Sequence, residues 1–306
     1  MTVLLPERTV TFYADGEPLR GVLTSADGAE GLPGIVLCHG FLCTMAMGLP
    51  EMAQLLAAEG FAVLRFDYRG FGESGGEQRG ALWPLRQVQD ARAAVAFLQS
   101  QPEADPLRVA LWGTSFGGAV VLQAGALDPA VQAVVASVPV TDGGAWLRAV
   151  NSEAEWAALL SRLDHDRRQR AVGGASEVVP VTAVRPPAPG PDADRDAFFS
   201  RYGHHAPPRE LPLECVQAVL DFTPNRLAGL IAPRPLLLVA APADTTVPLS
   251  QAESAYAHAQ EPKRLALLPD DVSHFAVYDG AARNLVLAET VAWLRAAPAL
   301  APLSPA

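Results

Sequence analysis

Five short apolar runs punctuate this chain, and each closes on glycine, proline or a polar turn: GIVLCHG, FAVLRFDYRG, RVALWGTSFGG, VQAVVASVPV and RPLLLVAAPAD. Runs that are apolar throughout, rather than alternating, suit strands buried on both faces. Between them lie stretches with helical spacing, such as MAQLLAAEG, with Gly60 placed as a C-cap, and QVQDARAAVAFLQSQ. Strand and helix in alternation dictate an α/β fold: a mostly parallel central sheet flanked by helices, with right-handed crossovers. In such a sheet, functional residues collect at the carboxyl ends of the strands. Upstream, TVTFYA and LRGVLTS flank Asp15-Gly16, which predicts a hairpin.

The rhythm breaks after SVPV. From about residue 141 to 226 there is no clean strand–helix alternation, only helical stretches such as GAWLRAV and SEAEWAALLSRLDHDRRQR, the proline-rich VRPPAPGPDAD, and DAFFSRYGHHAPP. The gap is far longer than one crossover needs. It predicts a mainly helical cap subdomain at 141–226, inserted into a core made of 1–140 and 227–306, with the proline-rich piece irregular. A total of 306 residues, half of them hydrophobic, suffices for such a core.

Gly113-Thr114-Ser115-Phe116-Gly117 fits G-x-S-x-G, between the apolar run RVALW and the helix-compatible AVVLQAGAL. That is the context of a nucleophile elbow, where a serine on a sharp strand-to-helix turn needs small neighbours. The helix N-terminus offers unpaired N–H groups beside it. Ser115 is therefore the expected nucleophile. Asp244, just past the apolar run PLLLVAA, and His274, the last histidine of the chain, follow in the order Ser, Asp, His that this architecture uses. Asp244 would orient the base, with Asp221, Asp270 and Asp271 as rivals, and His274 would act as general base. Two convergent backbone N–H groups are required for the oxyanion. Phe116 and Phe41 are expected to supply them, with Leu42 as the alternative to Phe41 and His39 as a brace. Trp146, Phe198, Phe199 and Tyr202 of the cap are candidate substrate-binding residues. His204-His205 could line the same pocket; His165 and His258 sit in polar helical stretches.

HGF, DYRGFGES, GTSFGG, PADTTVP and SHF together resemble the α/β-hydrolase superfamily. The likeness is greatest to the branch with dienelactone hydrolases, feruloyl-type esterases and prolyl-oligopeptidase-like hydrolase domains. It covers about residues 9–140 and 232–296; the cap matches no named subfamily. The resemblance implies the triad Ser115, Asp244 and His274, with Phe41 and Phe116 as oxyanion donors. It departs at Ala241, where the acid loop often carries glycine. Arg69 reads as structural, with contact to a substrate carboxylate as the rival role. The activity implied is hydrolysis of a carboxylic ester or related acyl bond of a small organic molecule. Acyl transfer, cleavage of thioesters, amides or C–C bonds, and a non-catalytic ligand receptor are the alternatives.

A net charge of −10 disfavours nucleic acid as a partner. The sequence has no secretory or membrane-spanning run, so a cytoplasmic protein that does not engage membranes is expected. Cys38, Cys43 and Cys215 are too few for a disulfide framework or a zinc site and read as small buried hydrophobes. No cofactor and no metal is expected. A small-molecule substrate is the expected partner, and a homodimer is compatible with the sequence.

Overall fold

The computed structural model describes residues 4–187, 192–205, 209–297 and 300. Its main sheet has eight strands in the order β1-β2-β4-β3-β5-β6-β9-β10. β1 (Glu7–Ala14) and β2 (Glu17–Thr24) form the expected hairpin, with Asp15 and Gly16 both at positive φ, as a two-residue hairpin turn requires. β2 is antiparallel to β4 (Ala62–Phe66). From β4 onward through β3 (Leu32–Cys38), β5 (Ala104–Thr114), β6 (Val131–Ser137), β9 (Leu236–Ala240) and β10 (Lys263–Leu267), all pairings are parallel.

Side chains alternate across this sheet, so each inner strand feeds two cores. Val36, Leu111, Val134 and Leu238 face one core, which holds α2 (Pro84–Gln99), α3 (Phe116–Leu127) and α8 (Ser250–His258). Ile35, Ala110, Val135 and Leu237 face the other, with α1 (Leu49–Ala58) and α9 (Gly280–Ala296). Apolar burial on both faces is why the inner strands read as continuous apolar runs in the sequence. Gly60 sits just past α1 at φ 91, a left-handed position that glycine fills without strain.

Between β6 and β9 the chain leaves the sheet. It forms α4 (Gly143–Val150), α5 (Glu153–Ala171), β7 (Val178–Pro180), α6 (Ala193–Tyr202), β8 (Glu210–Pro212) and α7 (Leu213–Leu220). β7 and β8 pair as a small antiparallel ribbon that the sequence pattern does not reveal, because three residues are too few to carry a period. The proline-rich piece is expected to be irregular; residues 188–191 of it lie outside the described residues. Its end is not irregular: Asp192 caps α6, accepting from the Arg195 N–H at 2.9 Å. Trp146, Leu147, Leu163, Val216 and Phe222 join the α2–α3 core, while Phe198 and Tyr202 join the α1–α9 core. This stretch thus extends both existing cores. Among the described residues no helix is long and apolar enough to cross a membrane.

Candidate active site

β5 ends at Thr114 and α3 begins at Phe116, leaving Ser115 as the single residue of the turn. Its φ of 56° and ψ of −122° are strained for any residue with a Cβ. Neighbouring strands hold it there: the Ser115 N–H donates to the Ser137 carbonyl at 2.9 Å, and the Ser115 carbonyl accepts from Val140 N–H at 3.0 Å. The flanking glycines are sterically required. A Cβ on Gly113 would strike the Gly117 carbonyl, and one on Gly117 would strike the carbonyls of Cys38 and His39.

Ser115, Asp244 and His274 are only 7%, 5% and 4% exposed, and the fold brings them into one chain of hydrogen bonds. His274 Nε2 lies 3.1 Å from Ser115 Oγ, and His274 Nδ1 lies 2.6 Å from Asp244 Oδ2. The other carboxylate oxygen accepts from the N–H groups of Thr246 and Val247 at 2.8 and 2.7 Å. With Nδ1–H donated to the carboxylate, Nε2 is left to accept the serine proton. Ala241 accommodates the turn at the departure from the family pattern, its carbonyl accepting from Asp244 N–H at 3.1 Å. The rival acids Asp221, Asp270 and Asp271 are exposed.

The loop after β3 lies against the serine. A Cβ on Gly40 would sit 3.2 Å from the Ser115 Cβ. Among the described residues the N–H groups of Phe41 and Phe116 have no acceptor, and the two rings meet edge to face at 5.7 Å. Leu42 is buried with φ 54. The DYRGFGES stretch braces this loop: Asp67 accepts from Met45 N–H at 2.7 Å and from Glu73 N–H at 3.1 Å. His39 is buried edge-on against Tyr68 at 4.4 Å, and burial pulls its pKa down. Arg69 is held by Asp90, from Nε at 2.7 Å and through its own N–H at 2.9 Å.

The candidate substrate-binding residues divide. Trp146 is buried, with its ring 5.3 Å from Phe41 and 6.3 Å from Phe116. Its Nε1–H donates to the Thr246 carbonyl at 2.8 Å, so one side chain meets the loop after β3, the start of α3 and the loop of Asp244. Phe198, Phe199 and Tyr202 pack instead around the histidine loop. Phe198 lies 5.4 Å from Phe275 and 4.8 Å from Tyr278; Phe199 lies 5.6 Å from Phe275. Tyr202 donates to Glu51 at 3.0 Å, and Ser273 donates to Asp194 at 2.7 Å. Phe198, Tyr202, Phe275 and Tyr278 line a cavity of about 340 Å³ whose walls do not include Ser115. His204 and His205 are exposed, with ring centroids 4.0 Å apart and planes tilted by 43°, and His165 and His258 are exposed too.

Two contributors escape sequence reasoning. Phe222 lies 6.0 Å from Phe116, and the Tyr278 hydroxyl is 3.0 Å from Thr114 Oγ1, directly before Ser115. Tyr278 sits four residues after His274, and that proximity was the one signal available for it. Cys38 and Cys215 are buried free thiols and Cys43 is half-buried. Among the described residues no group of three His, Cys, Asp or Glu side chains could hold a metal ion.

The family model described as serine aminopeptidase, S33, matches residues 33–274. The quorum-quenching protein AidA of Acinetobacter baumannii (strain MDR-ZJ06) is 31% identical over 266 residues, covering 86% of each chain. A thiohydrolase of Eupenicillium brefeldianum is 28% identical over 305 residues, 96% of each chain. Among solved structures, the α/β hydrolase GrgF from Penicillium sp. sh18 superposes with a TM-score of 0.79 at 25% identity, over 96% of this chain and 99% of that one.

Proposed function

We propose that this chain, which belongs to the serine aminopeptidase S33 family and has the α/β-hydrolase fold, is a serine hydrolase cleaving a carboxylic ester or related acyl bond of a small organic substrate through an acyl-enzyme. The observation that carries the reading is the unbroken hydrogen-bonded chain Ser115–His274–Asp244 at a strained elbow. Ser115 Oγ attacks the acyl carbon while His274 Nε2 takes its proton. The oxyanion is stabilised by the N–H groups of Phe41 and Phe116, which have no internal acceptor to give up. Asp244, held in place by two backbone N–H donors, orients the imidazole and stabilises the imidazolium. The tetrahedral adduct collapses, His274 returns the proton to the leaving group, and water activated by the same imidazole frees the acid.

Residues 141–226 act in this reading as a cap that sets substrate choice, because Trp146 stands against both oxyanion-donor residues. A thioester substrate is the second reading, supported by the likeness to a thiohydrolase along nearly the whole chain. Labelling with a fluorophosphonate, followed by a panel of matched ester, thioester and amide substrates, tests both. Attachment at Ser115 is expected; absence of labelling in folded protein would count against the mechanism.

A further inference from the structure

The insert carries a half-buried cation, Arg185, whose side chain makes no hydrogen bond or ion pair among the described residues. Arg185 follows the 3-10 turn Val181–Ala183, and its backbone is fixed there. Its own N–H donates to the Val181 carbonyl at 2.9 Å, and the preceding Val184 carbonyl accepts from Asn151 Nδ2 at 2.9 Å. Val184 is buried in the core, so the segment cannot swing the side chain away cheaply. Asn151 Nδ2 also donates to the Leu147 carbonyl at 2.7 Å, beside Trp146, and Asp194, the neighbour of Arg195, accepts from Ser273, the neighbour of His274, at 2.7 Å, so both arginine segments are tied to the surroundings of Ser115. The half-buried guanidinium lies within electrostatic reach of Cys43 on the oxyanion loop and of Asp244 in the triad. Those two loops flank Ser115.

Among the described residues the Arg185 guanidinium makes no hydrogen bond and no ion pair. The internal residues outside the description, 188–191, 206–208, 298 and 299, include no acidic side chain. Asp244 attracts the guanidinium at a distance but makes no hydrogen bond or ion pair with it; its own hydrogen bonds are to Thr246, Val247 and His274. Among the other insert arginines, Arg162 pairs with Glu177, Arg170 with Asp166 and Arg201 with Glu51, while Arg209 and Arg226 are exposed to water. A second positive group stands close by. Arg195 is within electrostatic reach of Arg185, and although its Nε and Nη2 donate to Asp196, its buried Nη1 has no acceptor among the described residues. Withdrawal from water pulls the Arg185 pKa below its ordinary value, with like charge from Arg195 adding to the effect. Guanidinium remains charged under such pressure, so the cost is relieved by an incoming anion and not by loss of the proton.

We propose that Arg185, assisted by Arg195, recognises an anionic group on the substrate, so that this hydrolase acts on acyl compounds bearing a carboxylate or phosphate away from the scissile bond. The inference rests on the serine-hydrolase reading and adds the substrate class to it. Guanidinium presents a planar fork of donors that matches either oxyanion. In a chain of net charge −10, a cationic spot beside the Ser115 loops also draws anions to that point selectively.

The test compares kcat/KM for two matched pairs in the wild type, Arg185→Gln and Arg185→Lys. One pair is the 4-nitrophenyl ester of glutarate against its neutral methyl glutarate counterpart. The other is butyryl-coenzyme A against butyryl-N-acetylcysteamine, which lacks the phosphates. The first pair reads a carboxylate on the acyl part; the second reads a phosphate on the leaving group. The wild type is expected to favour the anionic member of one pair by about 10- to 100-fold, the worth of charge-assisted hydrogen bonds. Arg185→Gln is expected to bring that ratio close to one, and Arg185→Lys to restore part of it. Equal loss on both members of a pair, or wild-type ratios near one in both pairs, overturns the inference. Calorimetric titration of Ser115→Ala protein with glutarate and with 4′-phosphopantetheine keeps the two readings separable. Binding that disappears in the Ser115→Ala, Arg185→Gln double variant supports the anion site even if no ester turns over. Turnover of the neutral ester by wild type with no Arg185-dependent binding or ratio leaves the hydrolase reading standing and removes the anion site.

Discussion

α3 and α5 are helices held in opposite ways. Nine of the twelve residues of α3 are buried, against three of the nineteen in α5. α3 has no side-chain cap and starts from a strained serine, so its place is set by burial between β5, β6 and α2. α5 starts from a capping box, in which Ser152 and Glu155 satisfy each other's N–H groups, and carries i,i+4 pairs such as Arg170–Asp166. Its few anchors are Leu159 and Leu163 on the apolar side and Asp166, whose carboxylate holds Ser176 Oγ at 3.0 Å and Glu177 N–H at 2.6 Å. A helix held by burial cannot shift without disturbing the strands beneath it. A helix held by caps and pairs can change most of its surface freely. Ser115 stands on the first kind, while α4 of the insert is capped by Asp142 and also buries Trp146 against Phe41 and Phe116.

Ser115→Ala cuts most sharply between the two regions. It is expected to lower kcat by about 10⁴- to 10⁶-fold with the melting temperature little changed. Ester turnover by the variant at near wild-type rate would sink the assignment of the nucleophile.

Trp146→Ala attacks the seam. It removes a buried ring that touches the elbow, the oxyanion loop and the acid loop, and is expected to cost about 3–5 kcal/mol in urea unfolding. A changed ranking of ester substrates should accompany the loss. If stability falls while the ranking stays fixed, Trp146 is packing alone and the seam has no part in specificity.

Asp166→Asn probes the polar side of the comparison. Burial raises the Asp166 pKa, but the Arg170 side-chain bond, the Glu177 N–H and the Ser176 hydroxyl outweigh it and hold the carboxyl below its ordinary value. A depressed pKa means that the ionised form stabilises the fold above the unfolded-state pKa, with the benefit lost as pH falls through the folded-state pKa. The substitution is therefore expected to cost about 1–3 kcal/mol near neutrality. The gap from wild type should close as the buffer is taken below about pH 4. A gap independent of pH would show that the charge of Asp166 is not what ties α5 to the following segment.

Phe199→Ala should do least. The ring is 37% exposed and rests on Phe198 and Phe275. A change within about 0.5 kcal/mol is expected, as for surface positions generally. A large drop in kcat/KM would move Phe199 from the outer edge of the histidine loop into the pocket.

The sequence by itself determined the sheet, because strands buried on both faces must be continuously apolar, and that pattern is local. It also located Ser115, Asp244 and His274 in turns and loops after recognisable strands, the first in an elbow that needs glycines at fixed spacing, and the fold joins the three by hydrogen bonds. The departure at Ala241 left that turn intact. The insert was legible as helices but not as a surface. Trp146 and Phe198 look alike in sequence, each an aromatic on a helical stretch, yet one meets Phe41 and the other Phe275. Nothing near Arg185 in the chain distinguishes it from the paired arginines around it. Only the tertiary structure decided these matters, because they depend on partners a hundred or so residues away: Trp146 Nε1 meets the Thr246 carbonyl across a separation of 100 positions. Such contacts follow from how whole elements pack, and no spacing within a single element encodes them.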